Sequence, residues 1–399
     1  MAIELSTEYP AQVDTSNPSG YPHGAARDDA IPGDGQGTPL QKTWVNDLYG
    51  FFAAILKRGS VAPSGAPDSA ITSQYWDALK WGLLGELQVA NYTDYNIGTA
   101  SATVYTGNLN SICYAHELDR YVAVGDYSAG DTAVFYSSDL ITWTRTATVS
   151  GISNLYDVCW SGLKFYAVGT GGKIIGSSDG ITWAIEPAGS GYVGDFYGVA
   201  AVSATKIIAA GFSVITGGEL QISSGGGSWT QATLPGTDRL YCCCASPKYN
   251  KFYLAGQNGK IISGLYGLTG WAYESAADGF TGDWLSIDAS PFSGEVLIGG
   301  ASATIQHSFG AGSWVTRTPE TVGATAFAGN YTLVKRMDAV GKWLVGGNTG
   351  GELQASSDGI AFRRVRQNAA WPYLSAGAAG GGGLALVGNG GGVHVGLRG

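Results

Sequence analysis

The side chains able to bind metals, attack substrates or carry protons are few and scattered. Four histidines, His23, His116, His307 and His394, stand too far apart for a local zinc motif. Five cysteines, Cys113, Cys159 and the run Cys242, Cys243 and Cys244, show no C-x-x-C spacing, and an odd number does not fit a disulfide framework. A reducing site of synthesis is expected. Carboxylates such as Asp195, Asp278, Asp283 and Glu320 fall among turn residues, where solvation is the default role. A general acid and base need a defined separation, which no spacing here supplies. The expectation is therefore no catalytic residue, no metal and no cofactor.

Composition narrows the partners. The chain has 399 residues, enough for more than one unit, with a net charge of −9 and only 22 Lys and Arg. A phosphate-binding groove draws on clustered cations, so a nucleic-acid partner is not expected. No stretch approaches the roughly 20 apolar residues of a membrane span, and residues 1–10 carry two glutamates and no apolar run of signal length. Synthesis without export and no membrane insertion are expected. With 63 glycines, 13% charged and 44% apolar residues, the chain suits short strands joined by tight turns.

Those strands come as a repeat. A β-rich phrase ends in glycine, a Gly-rich hairpin and another strand follow, and a Ser-Asp-Gly turn precedes tryptophan. The closing glycine recurs at Gly125, Gly169, Gly211, Gly256, Gly300, Gly347 and Gly388, at spacings of 41 to 47 residues. The aromatic after the turn recurs at Trp143, Trp183, Trp229, Trp271, Trp314 and Phe362. Such a unit fits four short strands, one propeller blade, and the period within it is two rather than 3.6. Tyr121, Ala123 and Gly125 alternate with Val122 and Val124, so both faces are apolar or small, as in sheets covered on two sides. The fold class expected is mainly β, a seven-bladed β-propeller over residues 93–399. Its seventh copy lacks an outermost strand, and residues 100–106 are expected to pair near residues 393–395 and close the ring. Cys113, Cys159 and Cys244, placed ten to twelve residues before their glycines, mark the innermost strands.

The phrase Ser-Ser-Asp-Gly-Ile-Thr-Trp at 177–183, echoed at 137–143 and 356–362, resembles the Asp-box of sialidase-like propellers, one residue shorter. What the resemblance implies is a turn held by Asp and Ser side chains, with an indole packed between blades. A sialidase-like, glycan-hydrolysing virion enzyme is the alternative function. It would need arginines converging from separate blades, whereas Arg363, Arg364 and Arg366 crowd together and no Arg-Ile-Pro signature occurs. The repeats also look similar to those of photosystem stability factors, an assembly-type propeller.

The amino-terminal segment differs. Residues 1–37 read as an extended arm. In the region 38–92, Thr38-Pro39 opens a helix in which Trp44, Leu48, Phe51 and Ile55 form a 4-3-4 seam, and a second helix is expected from residue 72 or 73. Two short helices make a poor core, so this helical attachment region is expected to oligomerise, as a homotrimer. The runs Asn-Pro-Ser-Gly-Tyr-Pro-His-Gly-Ala-Ala (17–26), Gly-Thr-Pro-Leu-Gln-Lys-Thr-Trp-Val-Asn (37–46), Pro-Ser-Gly-Ala-Pro-Asp (63–68) and Ser-Gln-Tyr-Trp-Asp-Ala-Leu (73–79) resemble the amino-terminal region of tailed-bacteriophage tail-fibre and tail-spike proteins. The resemblance implies a structural protein of the virion, joined to other tail or baseplate proteins. Its distal domain would meet a host-surface glycan or protein. Residues that depart from the repeat are the candidate receptor contacts: Trp284, Tyr331, Arg336, Arg364, Arg366 and Trp371, aromatics and arginines of the kind found in binding hot spots. Tyr156, Tyr197, Tyr241 and Tyr373 recur in comparable places and are assigned to packing.

Overall fold

Period-two alternation with apolar residues on both faces becomes, in the computed structural model of the chain, a ring of sheets packed face to face. The structure describes residues 13–14, 25–26, 92–96 and those from 105 to 397, except 129, 188–193, 226, 267–268, 275–278, 311, 318–328, 338–341, 349–351, 357, 361, 368–373, 381–382 and 389–391. The chain divides into two compact units, Met1–Glu86 and Leu87–Gly399. In the first, Val13–Asp14 pairs with Ala25–Ala26. The helices expected over 38–59 and from residue 72, with Trp44, Leu48, Phe51 and Ile55, lie outside the described residues.

The second unit is a β-propeller of seven four-stranded antiparallel sheets. The innermost strands are Leu109–Ala115, Leu155–Trp160, Asp195–Ser203, Leu240–Ser246, Trp284–Ala289, Tyr331–Met337 and Leu374–Gly380, and they number the blades 1 to 7. Each touches the inner strands on either side, and Leu374–Gly380 meets Leu109–Ala115, so the ring is closed. Successive side chains of a second strand serve opposite neighbours, as the pleat demands. In blade 1, Tyr121 and Ala123 pack toward blade 7 with Ala385 and Val387, while Val122 and Val124 pack toward blade 2 with Phe165 and Ala167.

The outermost strand of blade 7 is Tyr92–Asn96, paired antiparallel to Gly392–Leu397 with Thr93 opposite Val395 and Tyr95 opposite Val393. This corrects the expectation of residues 100–106, and the reason is reach. The chain must then cross from the outer edge of one blade to the inner strand of the next, three strand spacings or roughly 14 Å. Three residues after Thr106 span about 10 Å at full extension, whereas Asn96 to Leu109 crosses easily. Tyr105 instead wedges between blades 7 and 1, 2% exposed. Its hydroxyl shares its one proton between the carbonyls of Asn108 at 2.9 Å and Asp126 at 2.8 Å.

The repeat residues have mechanical roles. In every blade the inner strand carries a one-residue bulge, and the repeat glycine pairs with the residue just before it. A Cβ at Gly125, Gly169, Gly211 or Gly256 would be driven into the carbonyl oxygen of Asn108, Asn154, Asp195 or Arg239, so nothing larger fits. In the Ser-Asp-Gly turn of blade 2, the Asp179 carboxylate accepts the N–H groups of Ile181 and Thr182 at 2.8 Å. Ser177 Oγ accepts that of Gly180, also at 2.8 Å. The same bonds recur around Ser137 and Asp139. The following aromatic is buried against the preceding blade: Trp143 on blade 7, Trp183 on blade 1, Trp229 on blade 2 and Phe362 on blade 5. Each such side chain contributes about 1.5 to 3 kcal/mol relative to exposure.

Candidate functional site

The seven inner strands leave their inward edges unpaired around a central channel, a cavity of about 680 Å³. Unpaired edge groups must be satisfied, and side chains near the channel do this by reaching the next blade. Asn110 Nδ2 donates to the Leu155 carbonyl at 2.8 Å, and Thr332 Oγ1 to that of Leu374 at 2.6 Å. Ser375 Oγ donates to the Leu109 carbonyl at 2.5 Å, across the junction that closes the ring. In the other sense, Ser286 Oγ accepts from Val334 N at 2.9 Å and Asp288 Oδ2 from Arg336 N at 2.8 Å.

Asp157 links three blades. It receives the Ser111 hydroxyl at 2.7 Å, its neighbour Val158 N at 2.9 Å and Val199 N at 2.8 Å. Burial pushes its carboxyl up to about 6, against the pull of those hydrogen bonds and of the Lys335 ammonium. Lys335 Nζ lies 3.1 Å from Asp288 Oδ2. All five cysteines stand on inner strands, as spacing predicted for Cys113, Cys159 and Cys244: Cys113 in blade 1, Cys159 in blade 2 and Cys242, Cys243 and Cys244 in blade 4. Burial holds every thiol well above its ordinary value, so none is a ready nucleophile. Among the described residues, no group of three or more His, Cys, Asp or Glu is placed to hold a metal, and no arginine lines the channel.

One end of the channel is different in kind. Each bulge turns one side chain toward that mouth. In blades 1, 6 and 7 it is Asn110, Thr332 or Ser375, which stitch blades together, and in blade 5 it is Leu285. In blades 2, 3 and 4 it is a tyrosine. Tyr156 and Tyr197 stack with centroids 5.2 Å apart, and Tyr197 meets Tyr241 edge-on at 5.8 Å. All three are half-buried. Burial raises the Tyr156 and Tyr197 hydroxyls above their ordinary value. Arg239 stands beside this arc, its guanidinium 5.9 Å from the Tyr241 ring and 4.2 Å from that of Phe212.

The residues expected to contact a receptor do not converge. Trp284 and Tyr331 open the inner strands of blades 5 and 6, are 0% and 1% exposed, and pack in the core, Trp284 against Phe280 at 4.3 Å. That removes both as surface contacts: they occupy the position before the bulge, which each blade fills with a large core side chain. Arg336 is half-buried with its guanidinium 5.3 Å from the Trp343 ring. Arg364 and Arg366 lie on the outer strand Arg363–Gln367 of blade 6, opposite Gln354 and Leu353. Trp371 and Tyr373 lie outside the described residues. The tyrosine arc, assigned to packing from sequence, is the concentration of partly exposed aromatics at the channel. Its signal was the aromatic one residue after the large core residue in three successive blades.

No family model matches the sequence, and no curated protein does. Solved structures do. The chain is similar to a structure of YCF48 bound to D1 peptide, with a TM-score of 0.56 and 12% identity over 77% of this chain and 94% of that one. It is similar to YCF48 from Cyanidioschyzon merolae, with a TM-score of 0.56 and 13% identity over 76% of this chain and 98% of that one. At such identity the likeness shows the fold alone: this chain carries a β-propeller like theirs.

Proposed function

We propose that this protein is a non-enzymatic structural component of a bacteriophage tail, anchored by its amino-terminal region and displaying the propeller as a binding module. What supports binding over hydrolysis is one observation: the channel carboxylates are committed to the scaffold. Asp157 accepts from three groups in three blades, and Asp288 from Ala289 N, Arg336 N and Lys335. The virion reading rests on the tail-fibre resemblance across residues 17–79, and the homotrimer on the seam Trp44, Leu48, Phe51 and Ile55. The test is electron microscopy of particles carrying a tagged copy. Label at the tail supports the reading, and full particles without label in the tail sink it.

A second reading, an assembly propeller that holds a segment of another protein, draws on the likeness to a propeller solved with a peptide. It predicts label in host complexes rather than on particles.

A further inference from the structure

The mouth that carries the tyrosine arc holds more than rings. Blade 3 differs from its neighbours there. In the other blades the second strand stops at the repeat glycine, but in blade 3 it runs on as Lys206–Ser213 and returns as Gly217–Ser223. The tip puts Val214 at 88% and Ile215 at 76% exposure, at the same end of the ring as the bulges. Phe212, at its base, touches Arg239, which neighbours Tyr241, so hairpin and arc form one continuous surface. Tyr127, 45% exposed, extends it over blade 1, its N–H held by Asn154 Oδ1 at 2.8 Å.

Charge at this mouth is unbalanced. Asp126, bonded by the Asn108 and Asn110 amides, and Asp195, bonded by Gly171 N, stand at the rim, and Asp157 and Asp288 stand within. Against these four carboxylates stand, among the described residues, Arg239, Lys335 and Lys173, which follows the blade 2 turn that bonds Asp195; Lys260 lies 5.3 Å from the ring of Tyr273 on the outer strand of blade 4. A low-dielectric funnel in which carboxylates outnumber cations keeps a negative field at its mouth, and tyrosine faces favour a cation. Solvent-facing aliphatic side chains beside such a funnel favour an apolar neighbour to that cation.

We propose that this face binds a polypeptide segment, with a Lys or Arg side chain entering the channel mouth against Tyr156, Tyr197 and Tyr241 and an apolar residue resting on Val214 and Ile215. The inference rests on the reading of the propeller as a binding module and names its partner's chemistry. A glycan would use the rings but leaves the hairpin tip unexplained.

The test uses the full chain against an array of 15-residue peptides carrying Lys or Arg beside Leu or Ile, each paired with a copy in which Gln replaces the cation. The cationic members should bind at least tenfold more tightly, and binding should weaken as salt rises. Tyr197→Ala and Ile215→Ser should each lose tenfold or more, while Phe292→Ser, at a side chain 79% exposed on the opposite end, should change nothing. If Tyr197→Ala fails to fold, Ile215→Ser carries the test, because so exposed a side chain supports no core. Equal binding of Lys and Gln peptides overturns the proposal. So does equal loss in Phe292→Ser, or glycan-array binding at this mouth with no peptide bound. Tail labelling of particles would survive any of these outcomes, so the two readings fail separately.

Discussion

Asp157 makes the propeller less stable at neutral pH than in mild acid. Its carboxyl titrates near 6 when folded against an ordinary 3.8, because burial outweighs the hydrogen bonds from Ser111, Val199 and Val158. A folded value above the unfolded one means that the native state holds the proton more tightly. The penalty is therefore absent below pH 3.8, grows between 3.8 and 6, and is full above 6. Two units correspond to about 3 kcal/mol, an upper figure since the side chain lines a cavity that admits solvent. Roughly 2 kcal/mol of it should return by pH 4.5. Asn cannot titrate, so the quantity to measure is the difference in Tm between the parent and Asp157→Asn at several pH values. Any fixed cost of the substitution cancels from its slope. At about 2 °C per kcal/mol for a unit of this size, the parent should gain roughly 4 °C on the variant between pH 7 and 4.5. A difference flat to within a degree would refute the reasoning, and a parent that loses ground in acid would reverse its sign.

Two further outcomes follow from the scaffold. Removing Met1–Glu86 should leave a folded propeller that sediments as a monomer while the full chain runs as a trimer; extending the cut through residue 97 removes Tyr92–Asn96, bares the edge of Gly392–Leu397, and should lower Tm and promote self-association. Asp179→Ala should cost about 0.5 to 1.5 kcal/mol through the loss of its bonds to two exposed N–H groups, which water then takes over. Desolvation acts to raise that carboxyl, but bonds from Thr182 N, Ile181 N and Ser177 outweigh it and hold it low, so the loss measured by urea denaturation should persist above about pH 4 and fade below.

The parts of this fold that were legible in sequence are those repeated for mechanical reasons. Gly125, Gly169, Gly211, Gly256 and Gly300 recur because a carbonyl closes on each of them, Trp143 and Trp183 because each caps the preceding blade, and the cysteines because inner strands admit small side chains. The closing strand was misplaced because similarity to the next copy locates a motif but not the radial distance the chain must cross after it. Trp284 and Tyr331 were misread for a related cause. Departure from a repeat by residue type is not departure in role: both fill the same core position that Leu109, Leu155 and Leu240 fill elsewhere.

The bulge explains why function can concentrate where the repeat looks strictest. An inner strand in regular pairing would send alternate side chains to its two neighbouring blades, leaving none for the axis. One extra residue per blade breaks that alternation and turns a side chain to the mouth without disturbing the pairs on either side. Because the backbone there is fixed by the repeat glycine, the side chain is free to vary, and the ring carries Asn, Tyr, Tyr, Tyr, Leu, Thr and Ser in turn. Asn110, Thr332 and Ser375 spend that freedom on stitching blades 1, 2, 6 and 7. A phenol is too long for the same short bond to the adjacent strand, so three neighbouring tyrosines give up the stitch and present rings to the channel instead. Blades 2 to 4 forgo a structural bond that other blades make, and it is over this sector that the extended Val214 and Ile215 hairpin stands.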